Sequence, residues 1–529
     1  MRDFQLPGRS TAYAQNGMAA TSHPMATLTA LDVLRAGGNA VDAAIAAVAV
    51  QCVVDPHMTG IGGDCFALFS PASGGVMAIN GSGRAPGGIS ADALLGGGIT
   101  SLAPARGVAH CVTVPGAVAA WGLIAGKFGT KGLDELLRPA IACAEGGFVV
   151  TPRVAYDWAA NAERLGFSPG GAAFYLPGGS APAAGRVLRL PALARTLKRI
   201  AEKGPAGFYE GEVAERMVAT LKGFGGFHEM ADFASATAEQ VEPIHTRYRD
   251  VQVYECPPNG QGVIALLMMN ILEGFDPSKM EPLGALRFHL QAEATRLAFA
   301  ERDRLLADPT FAEVPTAKLL DKAFAAELRE RIDLERASSA KVPSDESGKD
   351  TVYVTVVDRD LNAVSFINSL YDAFGSGLVC QDTGVVFHSR GRSFRLAEGH
   401  PNRLMPGKRP MHTIIPAMAF RGGEMWMSFG VKGGDYQPVG HTHVIGNMVD
   451  FGMDPQEAID AARIMAYPGD VEVERGVTAA ARAGLEARGH RVVEASSPWG
   501  GGQAIVVDRQ RGVLIGGSDP RKDGLALGY

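Results

Sequence analysis

The chain carries no marked excess of charge. Fifty Lys and Arg stand against 56 Asp and Glu in 529 residues, a net charge of −6. That balance gives no general attraction to a phosphate backbone or an anionic lipid surface, so neither nucleic acid nor membrane is expected as a partner. Paired cysteines are missing too. Cys52, Cys65, Cys111, Cys143, Cys256 and Cys380 are scattered with no C-x-x-C, which suits buried thiols in a reducing compartment better than a disulfide frame or a zinc site. The longest apolar run, "AVDAAIAAVAVQCVV" from Ala40 to Val54, is too short to span a bilayer and contains Asp42. The opening "MRDFQLPGRSTAYAQNG" has no apolar signal-peptide core, so a cytoplasmic location is expected. There is no H-E-x-x-H, and His441-x-His443 alone reads as structural, so no metal is expected. "TGIGGDC" is G-x-G-G rather than G-x-G-x-x-G and lacks a β-α-β setting, so no dinucleotide or other cofactor is expected either.

What is present is an ordinary globular composition, 46% hydrophobic and 20% charged, long enough for a large core. "MATLTALDVLRAGGNAVDAAIAAVAVQ" predicts two helices broken at Gly37 and Gly38, with Asn39 capping the second. "PHMTGIGGDCFALFS", "GGVMAINGSG" and "VAHCVTVPG" predict short strands between glycine turns. The region from about Trp121 to Leu334 reads mostly helical, and "HLQAEATRLAFAERDRLLAD" shows an apolar stripe at helical spacing. Strands return at Thr351. Near the end, "DPQEAIDAARI" predicts a helix with Asp454 as cap, Pro455 first and Glu457 completing a capping box. No fixed-period repeat and no regular β-α-β alternation occur, which favours layered α/β or α+β over a doubly wound sheet.

The stretch "SGKDTVYVTVVDRDLNAVSFINS", residues 347–369, carries the chemistry. A polar linker, Arg336 to Asp350, runs straight into a strand whose Val352, Val354 and Val356 alternate with Thr351, Tyr353 and Thr355. "DRDLN" is a turn. Centred on Asp360, it pairs residues whose numbers sum to 720 and sets Ser369 opposite Thr351. A threonine at a strand start behind a polar loop suits a self-cleaving precursor: its hydroxyl attacks the preceding carbonyl, and the freed α-amine, with a pKa near 8, becomes the base for that same hydroxyl.

At these residues the sequence resembles the γ-glutamyltransferases, and the likeness runs end to end: "GGNAVDAAIAA", "PHMTGIGGDCF", "TVPGAVAAWGL", "YECPPNGQGVIALLMMNILEGFD", "AEATRLAFAERDRLLADP", "DTVYVTVVDRDLNAVSF", "PGKRPMHTIIPAM", "GVKGGD" and "GGSDPRKDGLALGY". The resemblance implies an N-terminal-nucleophile hydrolase, α+β, with a four-layer αββα sandwich. It implies a precursor cut between Asp350 and Thr351 into a large subunit, 1–350, and a small catalytic subunit, 351–529, interlocked in one fold, with a dimer of such heterodimers as a further assembly. Thr351 matches the catalytic threonine and Ser369 a second hydroxyl beside it. Gly433 and Gly434 match the pair whose amides form the oxyanion hole.

Departures from the family bear on substrate. Where γ-glutamyl enzymes hold the α-ammonium with an Asn, then a Gln or Glu and an Asp, this chain has Tyr371, Arg390 and Ser393. The family's paired serines are His412 and Thr413, both able to donate to a carboxylate, and Arg84 stands two positions from the family's carboxylate-binding Arg. Lys408, Arg409 and Lys432 are substrate contacts, solvated surface or structural ion pairs. The set implies a small amide substrate that keeps a carboxylate and lacks the ammonium, as in the oxamate amidohydrolase branch. A γ-glutamyltransferase or glutathione hydrolase is the alternative, a glutaryl-type cephalosporin acylase the second, and a non-catalytic binding protein of the same fold the alternative from another class.

Overall fold

In the computed structural model, which describes residues 5, 8–103, 109–338 and 350–529, two antiparallel sheets of seven strands face each other. Their strands are β1 (Ala12–Ala14), β2 (Met18–Thr21), β3 (Asp64–Ser70), β4 (Met77–Gly81), β5 (Glu239–Val241), β6 (Ile244–Tyr248), β7 (Val251–Glu255), β8 (Asp350–Val357), β9 (Ala363–Tyr371), β10 (Ala417–Arg421), β11 (Glu424–Lys432), β12 (Gly501–Asp508), β13 (Val513–Ser518) and β14 (Leu525–Gly528). One sheet runs β14-β2-β8-β9-β3-β4-β5, the other β1-β13-β12-β11-β10-β7-β6. Each draws strands from both sides of Thr351.

Period-two alternation on β8 shows how the layers form. Val352, Val354 and Val356 pack with the helices α1 (Pro24–Arg35) and α2 (Ala40–Val54) on the outer face. Tyr353 and Val357 join Phe66, Met418 and Ile505 between the sheets. Beyond the second sheet, Phe429 and Val506 pack against α3 (Gly262–Leu272) and α5 (Tyr436–Val449), with α4 (Ala285–Leu305) in the same layer. The result is the αββα sandwich. The Tyr/Thr face of β8 is therefore core rather than open surface: Thr355 Oγ1 donates across the sheets to Ser428 Oγ at 2.7 Å, and Tyr353 Oη lies 2.6 Å from Ser365 Oγ.

Local chemistry explains the helix ends. Asn39 accepts from the Asp42 N–H while Asp42 reaches back to the Asn39 N–H, a reciprocal cap. Asp454 does the same with Glu457 at the start of α6 (Pro455–Asp460). Three expectations need correction. The described part of "VAHCVTVPG" forms a 3₁₀ turn over Ala109–Cys111, and its Val114 N–H bonds Arg84 O instead of a ladder. The mostly helical middle contains β5, β6 and β7, which complete the sheet edges. Finally, α4 is no amphipathic surface helix. It buries Arg287, His289, Glu293, Arg296 and Arg302, each with polar partners. Of the linker, residues 339–349 lie outside the described residues. Among those described, no helix is long and apolar enough to cross a membrane.

Candidate active site

Thr351 lies at the second position of β8. From Val352 to Val357 the pairing with β9 has the expected register, Val352 opposite Asn368 through Val357 opposite Ala363. Asp350, however, faces Tyr371, so a bulge falls at Thr351. Bulges re-aim a side chain at the end of a ladder, and here the Thr351 Oγ1 lies 3.0 Å from Ser369 Oγ. Ser369 Oγ also accepts from the Tyr371 N–H at 2.9 Å and from Arg390 Nη2 at 3.3 Å, which turns its own proton away from both donors.

The glycine run before β3 exists for this contact. A Cβ on Gly62 would fall 2.2 Å from Val386 O, and one on Gly63 would fall 2.3 Å from Ser369 O. The chain passes directly under the strand that carries Ser369, and Asp64 then pairs with Ser369 in the ladder.

Arg390 is the centre of the second half. It is fully buried, donates from Nη1 to Thr413 Oγ1 at 2.8 Å, and lies with its guanidinium 4.3 Å from the centre of the Tyr371 ring. Burial lowers its pKa to about 10, so it remains a cation at neutral pH. His412 Nε2 is 3.0 Å from Asp64 Oδ2. Burial first, then the Arg390 charge, pushes His412 down to about 3, which keeps it neutral. Ser393 spends its hydroxyl on Arg390 O (2.9 Å) and Met411 O (2.6 Å), closing the short turn that presents Arg390.

Gly433 and Gly434 form the turn between β11 and α5, with φ of 130° and 56°. Gln261 Nε2 donates to Gly434 O at 3.0 Å and to Thr413 O at 2.8 Å, tying that turn to the Arg390 side. Arg302 braces it in turn by bonding Gln261 Oε1 and Asp435. A cavity of about 570 Å³ opens beside the cluster, lined by Tyr371, Ser393, Arg392, Arg395, Met411 and Asp435 among others.

The structure thus brings together Thr351, Ser369, Tyr371, Arg390, Ser393, His412 and Thr413. Arg84 lies apart from them. Its guanidinium bonds Gly407 O (3.1 Å) and Glu239 (3.3 Å) and approaches Asp308 (3.6 Å). Arg409 is likewise paired with Glu239 (2.8 Å), while Lys408 bonds Pro401 O and Lys432 is buried. Asp350 continues the strand backbone into Thr351. Asp64, Gln261 and Arg302 were not visible as site residues in the sequence. The one available signal was an acid placed directly behind the glycine run. His441, half of the histidine pair, lies 2.7 Å from Glu255. Among the described residues one cluster has metal-ligand composition, His289, Glu293 and His490, and Arg296 occupies it by bonding Glu293 at 2.6 Å.

Burial holds several histidines neutral in the folded chain: His228, His412 and His490 are each pushed down to about 3, and His443 is also pushed well below its usual value. In the unfolded chain they take up protons near 6.5, so between pH 6.5 and 3 the unfolded state binds more protons and stability falls as the pH falls. Well below 6.5 each contributes about 1.4 kcal/mol per pH unit. The melting temperature should therefore drop steadily from pH 7 to pH 5, and a flat profile over that range would contradict the burial assignment.

A family model described as gamma-glutamyltranspeptidase matches residues 26–529. The chain is 39% identical to a glutathione hydrolase-like YwrD proenzyme of Bacillus subtilis, over 97% of this chain and 98% of that one. It is 34% identical to an oxamate amidohydrolase proenzyme of Klebsiella pneumoniae, over 98% and 100%. A crystal structure of a cephalosporin acylase from Bacillus halodurans superposes with a TM-score of 0.93 at 39% identity, covering 100% of this chain and 99% of that one.

Proposed function

Because the chain belongs to the gamma-glutamyltranspeptidase family, and so is a hydrolase with the N-terminal-nucleophile fold, we propose that it cuts itself between Asp350 and Thr351. On this reading the cut chain, residues 1–350 with 351–529, hydrolyses the amide of a small carboxylate-bearing acid, of which oxamate is the simplest case. One observation carries this reading. A fully buried guanidinium, Arg390, lies 3.3 Å from the hydroxyl that is itself 3.0 Å from Thr351 Oγ1. A carboxylate suits such a site and an α-ammonium does not. The nearby acids are already engaged: Asp64 by His412 and the Gly83 and Gly116 amides, Asp372 by Arg392 at 2.7 Å, and Asp435 by Arg302.

In maturation, Thr351 Oγ1 attacks the Asp350 carbonyl while its proton passes to the departing nitrogen, the C–N bond breaks to free the Thr351 amine and leave an ester on Oγ1, and water hydrolyses that ester to release the Asp350 carboxylate and restore the Thr351 hydroxyl. In turnover the same oxygen attacks the substrate amide while its proton passes through that amine to the leaving nitrogen. Ammonia or an amine departs. Water then cleaves the Thr351 ester, giving up its proton to the amine. The Gly433 and Gly434 N–H groups stabilise the oxyanion in both halves, and among the described residues neither donates to a protein acceptor.

The cavity favours a second reading in which the acyl group is larger. About 570 Å³ is the size of pocket that encloses a drug-sized ligand, far more than oxamate fills, so a glutaryl-type amide is the next candidate. The test is kcat/KM on cut enzyme for oxamate, glutaryl-p-nitroanilide and γ-glutamyl-p-nitroanilide. Either carboxylate amide should exceed the γ-glutamyl compound by at least about tenfold, the discrimination expected of one misplaced charge. Preference for the γ-glutamyl compound would instead make the protein a glutathione hydrolase or transferase.

A further inference from the structure

We propose that Asp64 is a positioning residue for the acyl pocket, holding the Arg390 guanidinium where it meets the substrate's carboxylate; this rests on the reading of Arg390 given above. Asp64, Ser369 and Thr351 lie on three adjacent strands, β3, β9 and β8, and Asp64 is directly opposite Ser369. Directly opposed residues of an antiparallel pair project to the same face, so the carboxylate and the Ser369 hydroxyl share one side of the sheet with Arg390. Among the described residues Asp64 is the only acid within 4.0 Å of the Arg390 guanidinium, at Nε. That Nε has no hydrogen-bond partner, and the whole side chain is out of water. A buried cation needs a counter-charge or it must neutralise or move.

The carboxylate is itself tightly held. Oδ1 accepts the Gly83 N–H (3.0 Å) and the Gly116 N–H (3.1 Å). Oδ2 faces His412 Nε2 (3.0 Å) and His388 Nδ1 (3.4 Å). The His412 tautomer follows: Nε2–H donates to Asp64, and Nδ1 accepts from the Ile414 N–H at 3.4 Å. His388 is anchored through Nε2 to Thr113 O at 2.8 Å. His388 and His412, the titratable groups closest to Asp64, hold its pKa far below the usual carboxylate range despite its burial. Nothing in this arrangement touches the reacting bond. Its effect on catalysis passes through Arg390, which Asp64 Oδ2 approaches at Nε.

The experiment is a double-mutant cycle of Asp64→Asn, Arg390→Met and the double variant, read as KM and kcat separately for glutaryl-p-nitroanilide on cut enzyme. Acetyl-p-nitroanilide, which has no carboxylate, is the control. Asp64→Asn should raise KM for the glutaryl compound at least tenfold with a smaller change in kcat, and leave KM for the acetyl compound within twofold. The double variant should be no worse than Arg390→Met. If Asp64→Asn does not fold or cut, the double variant should recover both, since it removes the cation as well. Unchanged KM in Asp64→Asn overturns the proposal, as does a double variant that also fails to fold. If Arg390→Met itself leaves the glutaryl KM unchanged, the carboxylate reading of Arg390 fails, whatever Asp64 does.

Discussion

Thr351→Ala should remain a single chain of 529 residues and lose turnover by about four orders of magnitude or more, the cost of removing a catalytic nucleophile outright. The substitution deletes the hydroxyl that starts self-cleavage, and without the cut there is no α-amine at residue 351 to act as base. One change therefore removes nucleophile and base together. The fold should hardly notice. Thr351 sits at a bulge at the strand's end, so the regular ladder from Val352 to Val357 does not depend on its side chain. Losing the 3.0 Å contact leaves Ser369 Oγ still bonded to the Tyr371 N–H and Arg390, a cost of about 1 kcal/mol. Intact mass and a melting curve settle it: wild type should give fragments 1–350 and 351–529, the variant one species melting within a few degrees. A wild-type chain that turns over fully while uncut would end the N-terminal-threonine mechanism.

The features legible in the sequence are those fixed by neighbours a few residues away. Asn39 and Asp454 cap their helices through contacts with Asp42 and Glu457, and the β8–β9 register follows from turn chemistry and period two. The placement of Ser369 beside Thr351 was computable for that reason. The Arg390 environment was not. Asp64, Thr113, His388 and His412 come from four separate segments and meet only when β3 and β9 pair and the 408–413 segment crosses above them. Arg84 shows the converse: proximity in sequence to a family position says little once Glu239, more than a hundred residues on, captures the guanidinium. In α4, a spacing that resembles an amphipathic stripe hides seven buried charged or polar side chains, and the partners of His289 and Arg302, which are His490 and Asp435, are equally distant.

Gly433→Ala should cut kcat by about 10²–10³-fold, the range for loss of one oxyanion donor. Gly433 holds φ at 130°, a region closed to side chains, and an added Cβ would sit 2.8 Å from Gly500 Cα and 3.1 Å from Gly500 N. Gly500 cannot yield, because it is itself at φ 62° and a Cβ there would meet Lys432 O at 2.7 Å. The two backbones are in direct contact, so the turn after β11 must swing, and the N–H groups at 433 and 434 swing with it. Gly423 is the matched control. It also has positive φ, 86°, in the β10–β11 turn, but an added Cβ meets nothing within 4 Å. Gly423→Ala should cost about 1 kcal/mol of stability through backbone strain alone and leave kcat within twofold. Equal loss of activity in both would reduce the Gly433 effect to general destabilisation, and full activity in cut Gly433→Ala enzyme would remove its amide from the oxyanion hole. Because the proposed self-cleavage passes through an oxyanion at the Asp350 carbonyl, the Gly433 variant should also mature slowly. Its rate of cutting, followed by mass from freshly made chain, should fall alongside kcat, since in the proposed mechanism both steps draw on the same pair of N–H donors.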